Sequence, residues 1–270
     1  NLFATHEQVA AMIADPRLRG VSLTGSERAG TAVAETAGRN LKKVVLELGG
    51  SDPYIVLDTD DVEDAAKTAW VTRMENVGQA CNSNKRMIVM DDIYDDFVAA
   101  LVKRATTMSP RQPGDDSPRS YSPMVSRKAA ENLLAQVQDA VSKGATLHVG
   151  GTLDEGKGAY FAPAVLTGVT PQMRAYREEL FGPVAVVYKV SSDDEAVELA
   201  RQTYPNRDGY LDVYDHYGQL GPRAIYGHGI WLTESEWRRV HETGTAIAHC
   251  PTSNTFLGSG LFDLRHAKQQ

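Results

Sequence analysis

Thiols are scarce in this sequence, although they are the side chains best suited to covalent chemistry. The 270 residues include two cysteines, Cys81 and Cys250. Two cysteines are too few for a disulfide framework, so we expect free thiols in a reducing compartment. Taken alone, Cys81 is best interpreted as a buried structural cysteine, and only its surroundings can indicate a reactive thiol.

Two glycine-containing stretches could bind phosphate groups. Residues 151–158 (GTLDEGKG) have the glycines and lysine of a P-loop, but Gly158 stands where Ser or Thr would bind magnesium, and no helix is predicted after it. Gly25 and Ser26 follow a predicted buried strand and begin a helix, whose free N–H groups can bind an anion. Without further context, a tight turn is the simpler interpretation of Gly25 and Ser26.

Strand-like and helix-like runs alternate along the first 195 residues, which predicts an α/β fold with a largely parallel sheet. A capping box of Asp60 and Glu63 is predicted to begin a helix that ends near Gly78. Cys81 then lies in a loop before the next strand. The predicted strands cover residues 20–23, 44–48, 86–90, 147–150, 160–166 and 184–190. The predicted helices cover 29–37, 61–76 and 93–107, and a further one is capped by Ser126 and runs to Lys143. Residues 109–122 are a predicted exposed loop.

Three motifs follow one another along the chain. They are Glu47-Leu48-Gly49-Gly50 at a strand end, Gly78-Gln79-Ala80-Cys81, and residues 178–183 (EELFGP). In order and spacing they resemble the aldehyde dehydrogenase family, and most closely its succinate-semialdehyde dehydrogenase-like branch. The adjoining stretches VSLTGSERAG, YFAPAVL and VAVVY extend this resemblance over residues 1 to about 195. A glycine motif alone is weak evidence for a family, whereas three motifs in this order and spacing are specific evidence.

The resemblance implies a mechanism through a cysteine thioester. Cys81 would be the nucleophile, its backbone N–H would contribute to an oxyanion hole, and Glu47 would be the base that activates water. The cofactor would be NAD or NADP. Gly25, Ser26 and the helix they begin would meet its pyrophosphate, Gly49 would approach the nicotinamide, and Glu179 and Phe181 would hold the nicotinamide ribose.

The sequence also departs from the family. By the resemblance it begins inside the dinucleotide-binding domain, so we expect about half of a family member, without the lysine at the adenosine ribose, the oxyanion-hole asparagine or the oligomerisation strand. The expected fold is therefore an incomplete one, with the end of a Rossmann-like cofactor domain over residues 1–48 and a catalytic domain over 49–195. Residues 196–270 are expected to form a separate fragment.

That fragment resembles guanine deaminases of the amidohydrolase superfamily at residues 210–218 (YLDVYDHYG), Gly227-His228-Gly229 and residues 248–254 (AHCPTSN). Strands at 224–227 and 246–250 around a helix at 234–242, capped by Thr233 and Glu236, predict a βαβ unit like part of a TIM barrel. His228 falls on a zinc-ligand position. The family's other ligands have no counterpart, so we expect a vestigial zinc site and a structural role for His249.

The net charge of −7 disfavours nucleic acid and acidic membrane surfaces as partners. No apolar run is long enough to span a membrane and no signal peptide is evident, which predicts a cytoplasmic protein with a small-molecule aldehyde as substrate. Homo-oligomerisation or aggregation through uncovered faces is a further expectation.

The sequence leaves three functions open: aldehyde oxidation with NAD or NADP, zinc-dependent guanine deamination, and a non-catalytic chimeric remnant.

Overall fold

The computed structural model describes residues 2–115, 117–156, 158–201, 210–216, 218–256 and 260–267. The chain divides into two compact units, Asn1–Val197 and Glu198–Gln270.

A five-stranded sheet forms the centre of the first unit. Its strands are β3 (Pro53–Val56), β4 (Arg86–Met90), β7 (Thr146–Val149), β8 (Ala164–Thr167) and β9 (Val184–Val190). Their order across the sheet is β3-β4-β9-β8-β7, and all neighbours are parallel except the antiparallel pair β7 and β8. Strands β4, β8 and β9 are buried along almost their whole length, as expected for parallel strands covered on both faces. The predicted α/β fold is confirmed.

In the described residues, six helices and the start of a seventh, which continues past Val197, accompany this sheet and the smaller strand pairs of the unit. They are α1 (His6–Ala14), α2 (Glu27–Arg39), α3 (Val62–Met74), α4 (Asp91–Thr106), α5 (Arg127–Ser142), α6 (Arg174–Arg177) and α7 (Asp193–Arg201). The main core lies where α3 and α4 cover the sheet, with Trp70, Phe97 and Leu101 packed on Met87 and Val187. Burial of a side chain of this size contributes about 1.5–3 kcal/mol, so this cluster stabilises the helices around the sheet.

Four local predictions in this unit are corrected. Helix α3 is capped by Asp61, whose carboxylate accepts from the Asp64 N–H at 3.0 Å, and not by a box of Asp60 and Glu63. The helix also ends earlier, at Met74, and a 3₁₀ turn over Glu75–Gly78 follows it. The strand predicted from residue 160 begins at Ala164. The loop over residues 109–122 contains a short parallel pair, β5 (Ser109–Pro110) and β6 (Ser120–Tyr121).

Strands β1 (Gly20–Thr24) and β2 (Lys43–Glu47) form a separate two-stranded parallel sheet, with α2 as the connection between them. Ser26 caps α2 by accepting from the Ala29 N–H at 3.3 Å. Thr24 and Glu47 are partners in the register, so both strands end at the same edge. This pairing brings the start of α2 close to the end of β2.

The second unit contains a parallel β10-α9-β11 arrangement, made of β10 (Ile225–Gly227), α9 (Glu234–Thr243) and β11 (Ala246–Ala248). The capping box of Thr233 and Glu236 is present as predicted. Three short helices, α8 (Tyr210–His216), α10 (Pro251–Phe256) and α11 (Leu264–Ala267), complete the described part of this unit. Leu211, Trp237 and Val240 form its core. The predicted βαβ unit is confirmed, but one such unit occurs in many fold classes and does not support a TIM barrel.

Candidate active site

The Cys81 thiol lies on the surface, in a turn between α3 and β4. The predicted loop position is therefore confirmed, whereas a buried structural cysteine is excluded. The turn is closed by a hydrogen bond from the Ser83 N–H to the Ala80 carbonyl at 3.2 Å. The Cys81 N–H donates to no acceptor among the described residues, so this donor is available to a ligand.

The backbone just before Cys81 is strained. Asn76, Val77 and Gly78 follow one another with φ of 48°, 59° and 70°, a region that non-glycine residues rarely adopt. Gly78 has a second constraint, because a Cβ there would lie 2.2 Å from the Gly182 carbonyl oxygen. Such strain persists only where neighbouring structure enforces it, and it concentrates at functional sites.

Side-chain amides stabilise the strained turn. The Asn76 Nδ2 donates to the Gln79 carbonyl at 3.0 Å, and the Gln79 Nε2 donates to the Asn76 carbonyl at 3.2 Å. The Gln79 Oε1 accepts from the Val125 N–H at 2.9 Å. Gln79 therefore connects the cysteine loop with the segment that precedes α5.

Arg73 joins the cysteine loop to the segment over residues 180–184. Its side chain is fully buried. Within the cysteine loop, Nη1 donates to the Ser83 Oγ at 2.7 Å and to the Gly78 carbonyl at 3.4 Å. In the other segment, Nε donates to the Val184 carbonyl at 2.7 Å, and Nη2 donates to the carbonyls of Leu180 and Gly182 at 2.6 Å each. Burial lowers the pKa of Arg73 to about 10, and the Glu179 carboxylate opposes that shift. The group is therefore still charged at neutral pH.

Lys85 and Glu179 form an ion pair of 2.9 Å beside Cys81. The Lys85 side chain is 2% exposed, and its Nζ also donates to the carbonyls of Ala80 at 2.9 Å and Cys81 at 2.8 Å. The other side of the Glu179 carboxylate lies against Gly49, where a Cβ would be 1.9 Å from Oε2. Glu179 therefore connects the end of β2 with the cysteine loop.

Glu47, Gly25 and Ser26 meet at the shared edge of β1 and β2. The Gly25 N–H donates to the Glu47 carbonyl at 2.9 Å. Gly30 lets α2 approach this edge closely, because a Cβ there would be 2.7 Å from Leu48 Cδ2. The Glu47 side chain is exposed, and within the described residues no hydrogen bond or ion pair joins it to Cys81.

The structure joins the predicted residues in two sets of contacts, and only the chain itself links Glu47 in one set to Gly49 in the other. Gly25 contacts Glu47, Gly49 contacts Glu179, and Glu179 reaches the carbonyl of Cys81 through Lys85. Phe181 is 41% exposed, and no described contact places it with the others.

Sequence reasoning missed Arg73, Lys85 and Gln136. Gln136 is buried and its Nε2 donates to the Glu179 carbonyl at 3.2 Å, which fixes the EELFGP segment. A signal existed for Arg73, since it shares the helical spacing of the buried Ala66, Ala69 and Trp70. A charge on an apolar helix face requires buried partners.

His228 follows β10 with φ of 69°, and its Nδ1 lies 2.5 Å from Oδ1 of the buried Asn254. The Cys250 thiol donates to the Ala248 carbonyl at 3.3 Å, and the His249 ring packs on Phe262 with centroids 5.2 Å apart. Within the described ranges, no three His, Cys, Asp or Glu residues are grouped as metal ligands. His228 therefore has an amide partner, and His249 has a packing partner.

The sequence model of the aldehyde dehydrogenase family matches residues 2–209. The chain belongs to the aldehyde dehydrogenase family. This match includes every motif around Cys81 and ends near the start of the second unit. The resemblance of the tail to guanine deaminases receives no support from the comparisons with known proteins.

Curated relatives support the same assignment. The chain is 56% identical over 200 residues to a succinate-semialdehyde dehydrogenase [NADP(+)] of Deinococcus radiodurans, which covers 74% of the chain and 42% of that relative. It is 45% identical over 204 residues to an aldehyde dehydrogenase of Paenarthrobacter nicotinovorans, with 75% and 44% covered. The chain thus spans less than half the length of these relatives.

Solved structures of the family have the same fold. A succinic semialdehyde dehydrogenase from Streptococcus pyogenes in complex with NADP+ is 36% identical with a TM-score of 0.69, covering 92% of this chain and 50% of that one. An NAD+ complex of an aldehyde dehydrogenase from Bacillus cereus is 29% identical with a TM-score of 0.67, covering 90% of this chain and 46% of that one.

Among the described residues no helix is both long and apolar enough to cross a membrane.

Proposed function

We propose that this chain carries the part of an active site that contains the reactive thiol. The reaction would be the NAD(P)-dependent oxidation of a small aldehyde, of the succinic semialdehyde class, to its carboxylate. The observation that carries the proposal is the exposed Cys81 thiol in a loop held by Arg73 and Lys85, with its N–H available. The substrate class rests on the relatives described as succinate-semialdehyde dehydrogenases. Because the chain spans 42% of the Deinococcus relative and 50% of the Streptococcus structure, the activity of a whole enzyme is part of this proposal.

The chain's own residues divide the reaction into two stages. In the first, the Cys81 thiol releases its proton to solvent, its Sγ forms a bond to the aldehyde carbon, and the carbonyl oxygen gains the negative charge that the Cys81 N–H would stabilise. A nicotinamide cofactor, when bound, would supply the acceptor for the hydride that leaves this carbon, and a thioester would remain on Cys81. In the second, Glu47 removes a proton from water, the water oxygen bonds to the thioester carbon, and the C–S bond breaks to release carboxylate and thiol.

The residues present fit the nicotinamide half of a dinucleotide. Gly49 lies directly against the Glu179 carboxylate, where any side chain would fill the space between β2 and the EELFGP segment. Glu179 keeps 23% of its side chain exposed, so it can accept hydrogen bonds from ribose hydroxyls. Gly25 and Ser26 at the N-terminus of α2 would face the pyrophosphate, and Phe181 would lie at the ribose. Relatives bind NADP+ or NAD+, and we propose either for this chain.

A domain division at residues 48 and 195 follows from the same proposal. The separate β1 and β2 sheet supports a cofactor domain over residues 1–48, and the central sheet supports a catalytic domain over residues 49–195. The boundary between the compact units, at Val197, supports a distinct fragment over residues 196–270.

The function is tested by NADPH or NADH formation from succinic semialdehyde. Glu47→Gln keeps the size of the side chain and removes the base, so we expect one aldehyde equivalent to remain on Cys81 as a thioester while turnover falls about 10²–10⁴-fold. Intact-protein mass spectrometry would detect that adduct. Glu35→Gln, an exposed change on α2, is the matched control and should turn over normally. Unchanged turnover in Glu47→Gln would assign the base to another residue.

For the tail, we propose descent from guanine deaminases without their activity. The ancestry rests on the sequence stretches at residues 210–218 and 248–254 and on Gly227-His228-Gly229. Zinc activation of water needs three or more convergent ligands, whereas His228 is paired with Asn254. We expect less than stoichiometric zinc by elemental analysis and no ammonia from guanine. Stoichiometric zinc that is lost in His228→Ala would show that a zinc site has survived.

A further inference from the structure

Lys85 contacts the peptide group whose N–H is the oxyanion donor of the proposed function. The Lys85 Nζ donates to the Ala80 carbonyl at 2.9 Å. That carbonyl and the Cys81 N–H belong to one trans peptide, so they point in opposite directions across a rigid plane. A contact that fixes the carbonyl therefore fixes the direction of the N–H.

The same ammonium group holds the next peptides along the chain. Its Nζ lies 2.8 Å from the Cys81 carbonyl and 3.3 Å from the Ser83 carbonyl. The Ser83 N–H also donates to the Ala80 carbonyl, at 3.2 Å. The Lys85 contact to the Ala80 carbonyl, at 2.9 Å, is shorter and charge-assisted, so it contributes more to the orientation than this turn hydrogen bond does.

Glu179 keeps Lys85 in place. The ion pair of 2.9 Å neutralises a lysine that is 2% exposed, and Gly49 limits the movement of the carboxylate from the opposite side. A buried lysine without a counter-charge would be costly, so the pair behaves as a unit.

We propose that Lys85 is a positioning residue, which aims the Cys81 N–H at the developing oxyanion and connects that donor with Glu179. The inference rests on the proposed function for the role of the N–H. It predicts that reactions of Cys81 which generate an oxyanion depend on Lys85 much more than reactions which do not.

Two reagents separate these reactions without any cofactor. With p-nitrophenyl acetate, the Cys81 sulfur bonds to the carbonyl carbon, an oxyanion forms, and p-nitrophenolate leaves as the C–O bond breaks. With iodoacetamide, the sulfur bonds to a methylene carbon and iodide leaves, with no oxyanion. Peptide mass spectrometry measures both rates at Cys81, and Cys250 in the same chain is the internal reference.

In Lys85→Met we expect the ratio of acylation to alkylation at Cys81 to fall on the order of tenfold or more, since loss of a single oxyanion donor costs about 10²–10³. Lys85→Arg, which keeps the charge, should recover part of the ratio. Lys42→Met is the matched control, because Lys42 Nζ also donates to two carbonyls, those of Asp15 and Leu18, away from Cys81. Its ratio should equal that of the wild type.

Glu179→Gln keeps Lys85 and weakens its anchor, so a smaller fall in the same ratio is expected even if Lys85→Met does not fold. An unchanged ratio in both Lys85→Met and Glu179→Gln overturns the proposal, as does a wild-type chain in which Cys81 is acylated no faster than Cys250. A wild type that is acylated at Cys81 but reduces no nicotinamide refutes the proposed oxidation only, and the ratio still tests Lys85.

Discussion

Cys81→Ala is expected to lower aldehyde-dependent reduction of NAD(P) by on the order of 10³-fold or more, because the adduct that donates the hydride cannot form without the thiol. The structure supports a large effect, since Cys81 is exposed and its loop is held by two buried cations, Arg73 and Lys85. The measurement is the absorbance change of the nicotinamide cofactor with succinic semialdehyde as substrate.

Cys250→Ala is the matched control. Its thiol donates to the Ala248 carbonyl in the second unit, so we expect turnover to stay within about twofold of the wild type. Labelling with a thiol reagent should modify Cys81 first. Turnover that survives Cys81→Ala would exclude the thioester route, whereas a wild type without turnover and with unselective labelling would favour a non-catalytic chimeric remnant.

Arg73→Met is expected to lower the free energy of unfolding by about 3–5 kcal/mol, because removing one partner from a buried network leaves its acceptors without donors. Carbonyls at Gly78, Leu180, Gly182 and Val184 all accept from this guanidinium. Chemical denaturation followed by circular dichroism would measure the loss. Whatever fraction still folds should have a disordered cysteine loop, since its link to β9 is gone.

Arg28→Met provides the control for that change. Arg28 is exposed on α2, so its substitution should alter the free energy of unfolding by less than about 0.5 kcal/mol. Arg73→Lys keeps the charge but cannot make the fork of hydrogen bonds, and should fall between the two. Equal stability of Arg73→Met and the wild type would show that the buried network contributes nothing net.

Several elements could be predicted from local sequence with high accuracy. The apolar runs at residues 86–90 and 184–190 became β4 and β9 with both ends correct. The capping box of Thr233 and Glu236 was also correct. These features depend on a few adjacent residues, since strand burial follows continuous apolarity and a cap forms within one turn.

Other features could not be predicted in this way. No local pattern indicates positive φ at Asn76 and Val77, because only the close packing of Gly78 on Gly182 and the contacts of Arg73 enforce it. The N-cap of α3 differs from the predicted one for a similar reason. Asp60 and Asp61 are equivalent in propensity, and the path of the preceding chain selects between them.

By itself, the sequence determined the family, through the order and spacing of the motifs around Glu47, Cys81 and Glu179. It also determined the α/β architecture, through the alternation of strand-like and helix-like runs. Only the tertiary structure decided how those motifs are held together. Arg73 reaches carbonyls more than 100 residues away, and Lys85 meets Glu179 across a similar interval. The physical reason is that a buried cation is stable only where distant acceptors converge on it, and such convergence is a property of the folded chain.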